Sequence, residues 1–185
     1  MGKAKLFHRD FLLVVIGQII SLFGNAVLRL VLPLYLLDAT GSSALFGLVT
    51  GVAFLPLVAL TPVGGVVADR MPKARMMAAL DFATCGLTVG LALLLGRAPL
   101  IPLVLVALVL LYAIQGAYQP AVSASMPLLA PSEQLVSANA VVNLVSSLAG
   151  LLGPALGGLL YGILGLQTVL WVSAGCFAAS AVLEL

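Results

Sequence analysis

Charge is scarce in this chain. Of 185 residues, only 8% are Asp, Glu, Lys or Arg, against 63% hydrophobic, and the mean hydropathy is +1.26. A water-soluble domain of this length needs far more polar surface to cover its core. Histidine is nearly absent, and the single one, His8, precedes the first apolar run. An intramembrane serine protease needs a histidine beside its nucleophile within the bundle, so the position of His8 weakens that rival reading. The two cysteines, Cys85 and Cys176, both lie inside apolar runs. They suggest neither a disulfide framework nor a metal site. No G-x-S-x-G, H-E-x-x-H or Walker-type GK[ST] occurs, and nothing points to nucleic acid or to a bound cofactor. The expected protein is not an enzyme.

Long apolar runs are what the sequence does have. Runs of about 20 residues are long enough to cross a bilayer as helices. The spacing predicts an all-α integral membrane protein with six transmembrane helices in a single bundle over residues 1–185, at 11–37, 44–68, 76–95, 100–130, 135–164 and 168–183. The connections are short: "DATGSS", "DRMPKAR", "GRAP", "PSEQ" and "GLQ". Lys3, Lys5, Arg9, Arg70, Lys73 and Arg75 fall on one side of the membrane, and Arg97 alone in a loop on the other. By the positive-inside rule both termini are cytoplasmic, in the plasma (inner) membrane.

The chain also echoes itself. "LPLYLLDATGS" is followed by "TPVGGVVAD", and "MPLLAPSEQ" by "GPALGGLLYG", with 29 residues from Pro33 to Pro62 and 27 from Pro127 to Pro154. The first copy exits to the cytoplasm and the second to the outside. That is a 3+3 inverted repeat, a form common among secondary transporters.

Polar side chains within spans are costly and usually face protein or a wet cavity. Gln18, Ser21, Asn25 and Arg29 form one stripe of the first span. Tyr112, Gln115, Tyr118, Gln119 and Ser123 share a face of the fourth, and Asn139, Asn143, Ser146 and Gly150 a face of the fifth. Such stripes mark either a hydrated substrate pathway or interhelical hydrogen bonding. The expected pathway residues are Gln18, Ser21, Asn25, Arg29, Gln115, Tyr118, Gln119 and Asn143. Arg29 either snorkels outward or faces the cavity, where it favours anionic or zwitterionic cargo. Asp81 reads as snorkelling or as pairing with the basic hairpin before it. In "GLLGPALGGLLYG", Gly153, Pro154, Gly157 and Gly158 supply close packing and a bend.

One acid and three bases stand within "GGVVADRMPKAR", behind a glycine pair. This stretch resembles the loop signature of the major facilitator superfamily, G-x-L-A-D-[RK]-x-G-[RK]-[RK]. Gly65, Ala68, Asp69, Arg70 and Lys73 match it, while Val67, Pro72 and Ala74 depart from it. "GPALGG" resembles the core of the antiporter-type signature. The arginine of a third signature, in span four, is replaced by Tyr112. Together with "SLFGNAVLRLVLPLYLLDATGSSALFGLV" and "PAVSASMPLLAPSEQLVSANA", these stretches are similar to the exporter branch containing enterobactin and macrolide efflux proteins. The resemblance covers essentially the whole chain.

The resemblance implies an efflux transporter working by alternating access, with small amphipathic molecules as substrate. It also implies a cytoplasmic gate of Gly65, Asp69, Arg70, Lys73 and Arg75. Family members have twelve spans. A six-span chain therefore implies a second six-helix bundle, either another copy of itself or a C-terminal half, without which the polar stripes would lie bare to lipid. A non-transporting membrane scaffold or isolated folding unit is the alternative.

Overall fold

In the bilayer core the chain has no water with which to satisfy its N–H and C=O groups, so uninterrupted apolar sequence resolves into helix. The computed structural model describes residues 9–185; Lys3, Lys5, His8 and the side chain of Arg9 lie outside the described residues. Five long helices follow one another: α1 (Arg9–Thr40), α2 (Ser43–Arg70), α3 (Lys73–Leu94), α4 (Leu100–Leu129) and, after a short 3₁₀ turn at Ser132–Gln134, α5 (Leu135–Leu183). All five are long and apolar enough to cross a membrane. No strand occurs among the described residues. Turn chemistry sets the first boundary. Gly41 takes a left-handed φ of 66° that ends α1. Ser42 then caps α2, its hydroxyl accepting from the Leu45 N–H at 3.2 Å. The later helices begin directly after Pro72 and Pro99, where a missing N–H costs nothing.

The first four helices fall within a few residues of the expected spans. Beyond them lies α5, two helical limbs joined across a kink, where the sequence predicts two spans. Within it, Gly165 has φ 74° and ψ 165°, a conformation that is not helical. The contacts on either side show what Gly165 does. Positions 153 and 157 meet Ala26 and Val27, and the Tyr161 hydroxyl donates to Asp38 at 2.7 Å. In that limb, numbers rise together with those of α1. Past Gly165, Phe177 meets Gly24 and the Ser180 hydroxyl donates to the Gly17 carbonyl at 2.7 Å. Here numbers rise as those of α1 fall. The chain thus reverses direction at Gly165, and both limbs lie against α1.

The φ,ψ pair at Gly165 belongs to a region essentially closed to residues with a Cβ. A Cβ there would touch nothing within 4 Å, so conformation alone sets the cost of filling it. Gly165→Ala is expected to destabilise the bundle by about 1–3 kcal/mol. Gly162→Ala, in open space within the helix, is expected to be neutral or slightly stabilising. Thermal unfolding of the two variants in detergent checks this.

Two apolar clusters fill the interior. One gathers Leu28, Leu32, Leu36, Leu108, Leu111 and Leu170. The other gathers Phe11, Val15, Met77, Val122, Met126 and Val142. Between them on the helices lie buried polar residues: Ser21 and Asn25 on α1, Asp81 and Thr84 on α3, and Gln115 on α4. The bundle is therefore greasy at both ends and polar across its middle.

Candidate functional site

Where α1, α2, α4 and α5 converge, a half-open crevice of about 280 Å³ is lined by Arg29, Phe46, Thr50, Tyr112, Gly150 and Pro154, among others. Each helix contributes through its register. Arg29 is one helical turn past Asn25 and donates from Nε to the Asn25 carbonyl at 3.3 Å. That bond holds the guanidinium over the Tyr112 ring, 5.2 Å from its centroid, at a distance suited to a cation–π contact. Phe54 packs edge-on against the same ring at 5.7 Å. The position at which the family signature has an arginine in span four is thus overlain by an arginine from α1. A larger cavity of about 320 Å³ between α1 and the two limbs of α5 is lined by side chains such as Ile19, Phe23, Leu156 and Leu160, with no charged group to orient a ligand.

The remaining predicted pathway residues separate into two groups. Gln18, Ser21, Asn25, Gln115 and Tyr118 are all buried inside this bundle. Gln119 is half-buried, and Asn139, Asn143 and Ser123 are exposed. The expectation that the stripes of spans one and four lie bare in a single bundle is therefore corrected. Those stripes pack inward, and exposure begins at Gln119 and Asn143. Gln115 bonds along its own helix to Gln119 at 3.5 Å. Neither polar atom of the Gln18 side chain has a hydrogen-bond partner among the described residues.

Behind the crevice lies a constellation that the sequence reading missed. The Ser21 hydroxyl donates to Asp81 Oδ1 at 2.6 Å, and the Tyr118 hydroxyl donates to Glu184 Oε1 at 2.5 Å. Asp81 and Glu184 are only 1% and 3% exposed, close enough to repel one another, and neither forms an ion pair among the described residues. Asp81 therefore neither snorkels nor pairs with the basic hairpin. It turns inward to α1, because Ser21 supplies a hydroxyl at its depth. Its far oxygen and that of Glu184 have no hydrogen-bond partner among the described residues. The usable signal for Asp81 was the serine in the polar stripe of α1. Glu184 gave none, standing one residue past the last apolar run.

At the hairpin, Asp69, Arg70 and Arg75 are exposed and Lys73 is half-buried. Lys73 Nζ donates to the backbone carbonyl of Asp69 at 3.4 Å. The Asp69 carboxylate has no ion pair among the described residues. Of the glycine pair, Gly64 is buried against α4 while Gly65 has open space around it. In α5, Gly153 and Gly157 press on α1, whereas Gly158 makes an ordinary contact with Leu30. Pro154 lies inside the helix without ending it. Among the described residues no group of three or more His, Cys, Asp or Glu is placed to hold a metal.

Comparison with known proteins agrees with the architecture. Macrolide efflux protein A of Streptococcus pyogenes is 26% identical over 100% of this chain, which covers 46% of that protein. The multidrug efflux pump Tap of Mycolicibacterium fortuitum is 28% identical over 91% of the chain and 43% of its own length. The uncharacterized MFS-type transporter YfiS of Bacillus subtilis is 29% identical over 70% of the chain and 30% of its own length. The chain spans about half the length of the first of these or less of the others. The family model for the Major Facilitator Superfamily matches residues 14–185. A match running through all five membrane helices and the charged hairpin establishes the lineage: the chain belongs to the Major Facilitator Superfamily.

Proposed function

We propose that this chain is one half of a secondary active transporter that exports amphipathic small molecules by alternating access. The observation that carries the reading is the crevice of Arg29, Thr50 and Tyr112, polar at its base and open on one side, in a chain of this family. A second six-helix bundle, either another copy or a C-terminal half, covers that open side together with Gln119 and Asn143. Gln18, Ser21, Asn25, Gln115 and Tyr118 stand behind the wall and border the route when the helices rock.

In this reading both limbs of α5 cross the membrane. A straight helix of 49 residues would run to roughly 74 Å, more than twice the bilayer core. The reversal at Gly165 removes that conflict and supports six spans in two inverted repeats of three, forming a single domain over residues 1–185. Both termini then lie in the cytoplasm, on the side of Arg70, Lys73 and Arg75. The membrane is the plasma membrane.

Asp69, Arg70, Lys73 and Arg75, with Gly65 just before them, form the cytoplasmic gate, and the Asp69 carboxylate meets a helix N-terminus or a base of the second bundle. Gly153, Pro154, Gly157 and Gly158 let the first limb of α5 bend against α1. A latch of this kind is worth about 0.3–1 kcal/mol, weak enough for substrate binding to release it. Asp69→Asn is therefore expected to lower flux about two- to fivefold. Uptake of a radiolabelled macrolide into inverted proteoliposomes holding the chain and its second bundle measures this. The macrolide is chosen from the name of the streptococcal relative.

The burial of Gln18, Ser21 and Asn25 favours a rival reading, in which the polar stripes serve helix packing and the protein is a membrane scaffold. Absence of flux from every assembly of the wild-type protein would decide for the scaffold.

A further inference from the structure

We infer that the crevice receives the anionic group of its substrate, with Arg29 as the charge that binds it. The inference rests on the transport reading above and narrows its substrate class.

A guanidinium carries five N–H donors. Arg29 uses Nε on the Asn25 carbonyl, and no other acceptor or ion pair is found for it among the described residues. Four donors on its two terminal nitrogens are left for a ligand. A charge held within a bilayer without a counter-ion is costly, and where such a residue lines a cavity it marks a binding function. No carboxylate lines the crevice. The buried acids Asp81 and Glu184 are tied to Ser21 and Tyr118, and Asp38 accepts from Tyr161. The one charge in the crevice lining is therefore positive, which disfavours cationic cargo.

The rest of the lining fixes the shape of the ligand. Tyr112 lies face-on beneath the guanidinium and Phe54 braces the ring edge-on. Phe46 and Pro154 line the same space. Thr50 bonds its hydroxyl hydrogen to the Phe46 carbonyl at 2.8 Å, so it offers no donor that competes with Arg29. A volume of about 280 Å³ is at the small end for a ligand pocket. It admits the charged end of a molecule and an adjoining ring, while the remainder extends toward the open side.

Two probes that share a skeleton and differ in charge test this. 8-Anilino-1-naphthalenesulfonate is anionic, and N-phenyl-1-naphthylamine is its neutral counterpart. Each is titrated by fluorescence into the purified chain, with empty micelles subtracted. Wild type is expected to bind the sulfonate more tightly than the amine. Arg29→Gln is expected to weaken sulfonate binding about tenfold or more and amine binding less than twofold, with partial recovery in Arg29→Lys. Thr50→Glu, which sets an acid across the crevice, should reproduce the loss with Arg29 intact, so the test survives if the glutamine variant fails to fold.

Equal loss of both probes, loss of neither, or no binding above empty micelles would overturn the inference. Charge-selective binding with no flux of either the sulfonate or a macrolide would instead overturn the transport reading and leave the anion site standing. Flux that Arg29→Gln leaves unchanged, with no charge selectivity, would do the reverse.

Discussion

Gly64→Val is expected to prevent the bundle from assembling, while Gly65→Val, one residue further along, is expected to leave it intact. A Cβ on Gly64 would lie 2.6 Å from the Ala117 Cα and 2.9 Å from the Gly116 carbonyl oxygen. Both are backbone atoms of α4, so no rotamer change relieves the clash and α2 itself has to move. The contact is reciprocal about two turns back along α2, where a Cβ on Gly116 would lie 2.9 Å from the Leu57 carbonyl oxygen. These two glycines let the helices approach at backbone distance, the main source of attraction between helices in lipid.

Overpacking in a close-packed interior costs about 1–3 kcal/mol. A branched side chain against an unyielding backbone is expected to exceed that range. Total stabilities are only about 5–15 kcal/mol, so the yield of monodisperse protein should collapse. Around Gly65 no atom lies within 4 Å of a Cβ, and its substitution should change stability by less than about 0.5 kcal/mol. Size-exclusion profiles and melting curves of the two variants, purified in parallel, decide the matter. Similar behaviour of the pair would mean that α2 does not rest on α4 through Gly64.

That contrast shows where sequence reasoning stops. "GGVVAD" announces that a glycine is needed beside the hairpin, but only the neighbouring helix decides which of the two is pressed against backbone. The helices themselves were legible, because a run of apolar residues in a medium without water has one way to satisfy its backbone. The break before "LQT" was legible too, since Gly165 interrupts the run and its backbone there is not helical. Periodicity correctly grouped Gln18, Ser21 and Asn25 on one face. It could not say that this face meets α3 and α4 and not the crevice, because a helical wheel carries no information about neighbours. Arg29 fell on the same stripe and alone reaches the crevice. Its long side chain bridges the distance to Tyr112 that Asn25 does not. Glu184 was illegible for a further reason: its partner Tyr118 is 66 residues away, and no local pattern joins them.

The pair of buried acids leads to the second large effect, in which two substitutions on one hydrogen bond have opposite signs. Tyr118 donates to one oxygen of Glu184, whose other oxygen has no hydrogen-bond partner among the described residues. Tyr118→Phe removes the donor and leaves a buried carboxyl with nothing, which is expected to cost about 1–3 kcal/mol. Glu184→Gln keeps a carbonyl oxygen to accept from Tyr118 and removes an acid that must either carry charge beside Asp81, with no cation against it among the described residues, or take up a proton on folding. Burying like charge without a counter-ion is unfavourable, so this variant is expected to stabilise the bundle by about 1 kcal/mol.

Combining the two changes isolates the bond. In the Glu184→Gln background the acceptor is neutral, and loss of the Tyr118 hydroxyl should cost only about 0.5–1.5 kcal/mol, the range for a neutral pair. The difference between the two backgrounds is the coupling energy between charge and hydroxyl. Melting temperatures of wild type, both single variants and the double variant, taken at one pH in one detergent, supply the whole cycle. If Glu184→Gln destabilises as much as Tyr118→Phe, the negative charge is itself a structural requirement, and a cation not yet identified must balance it. If instead the signs are opposite, the bundle tolerates the two acids at a cost in stability. That cost falls at the one polar layer where α1, α3, α4 and the second limb of α5 all meet.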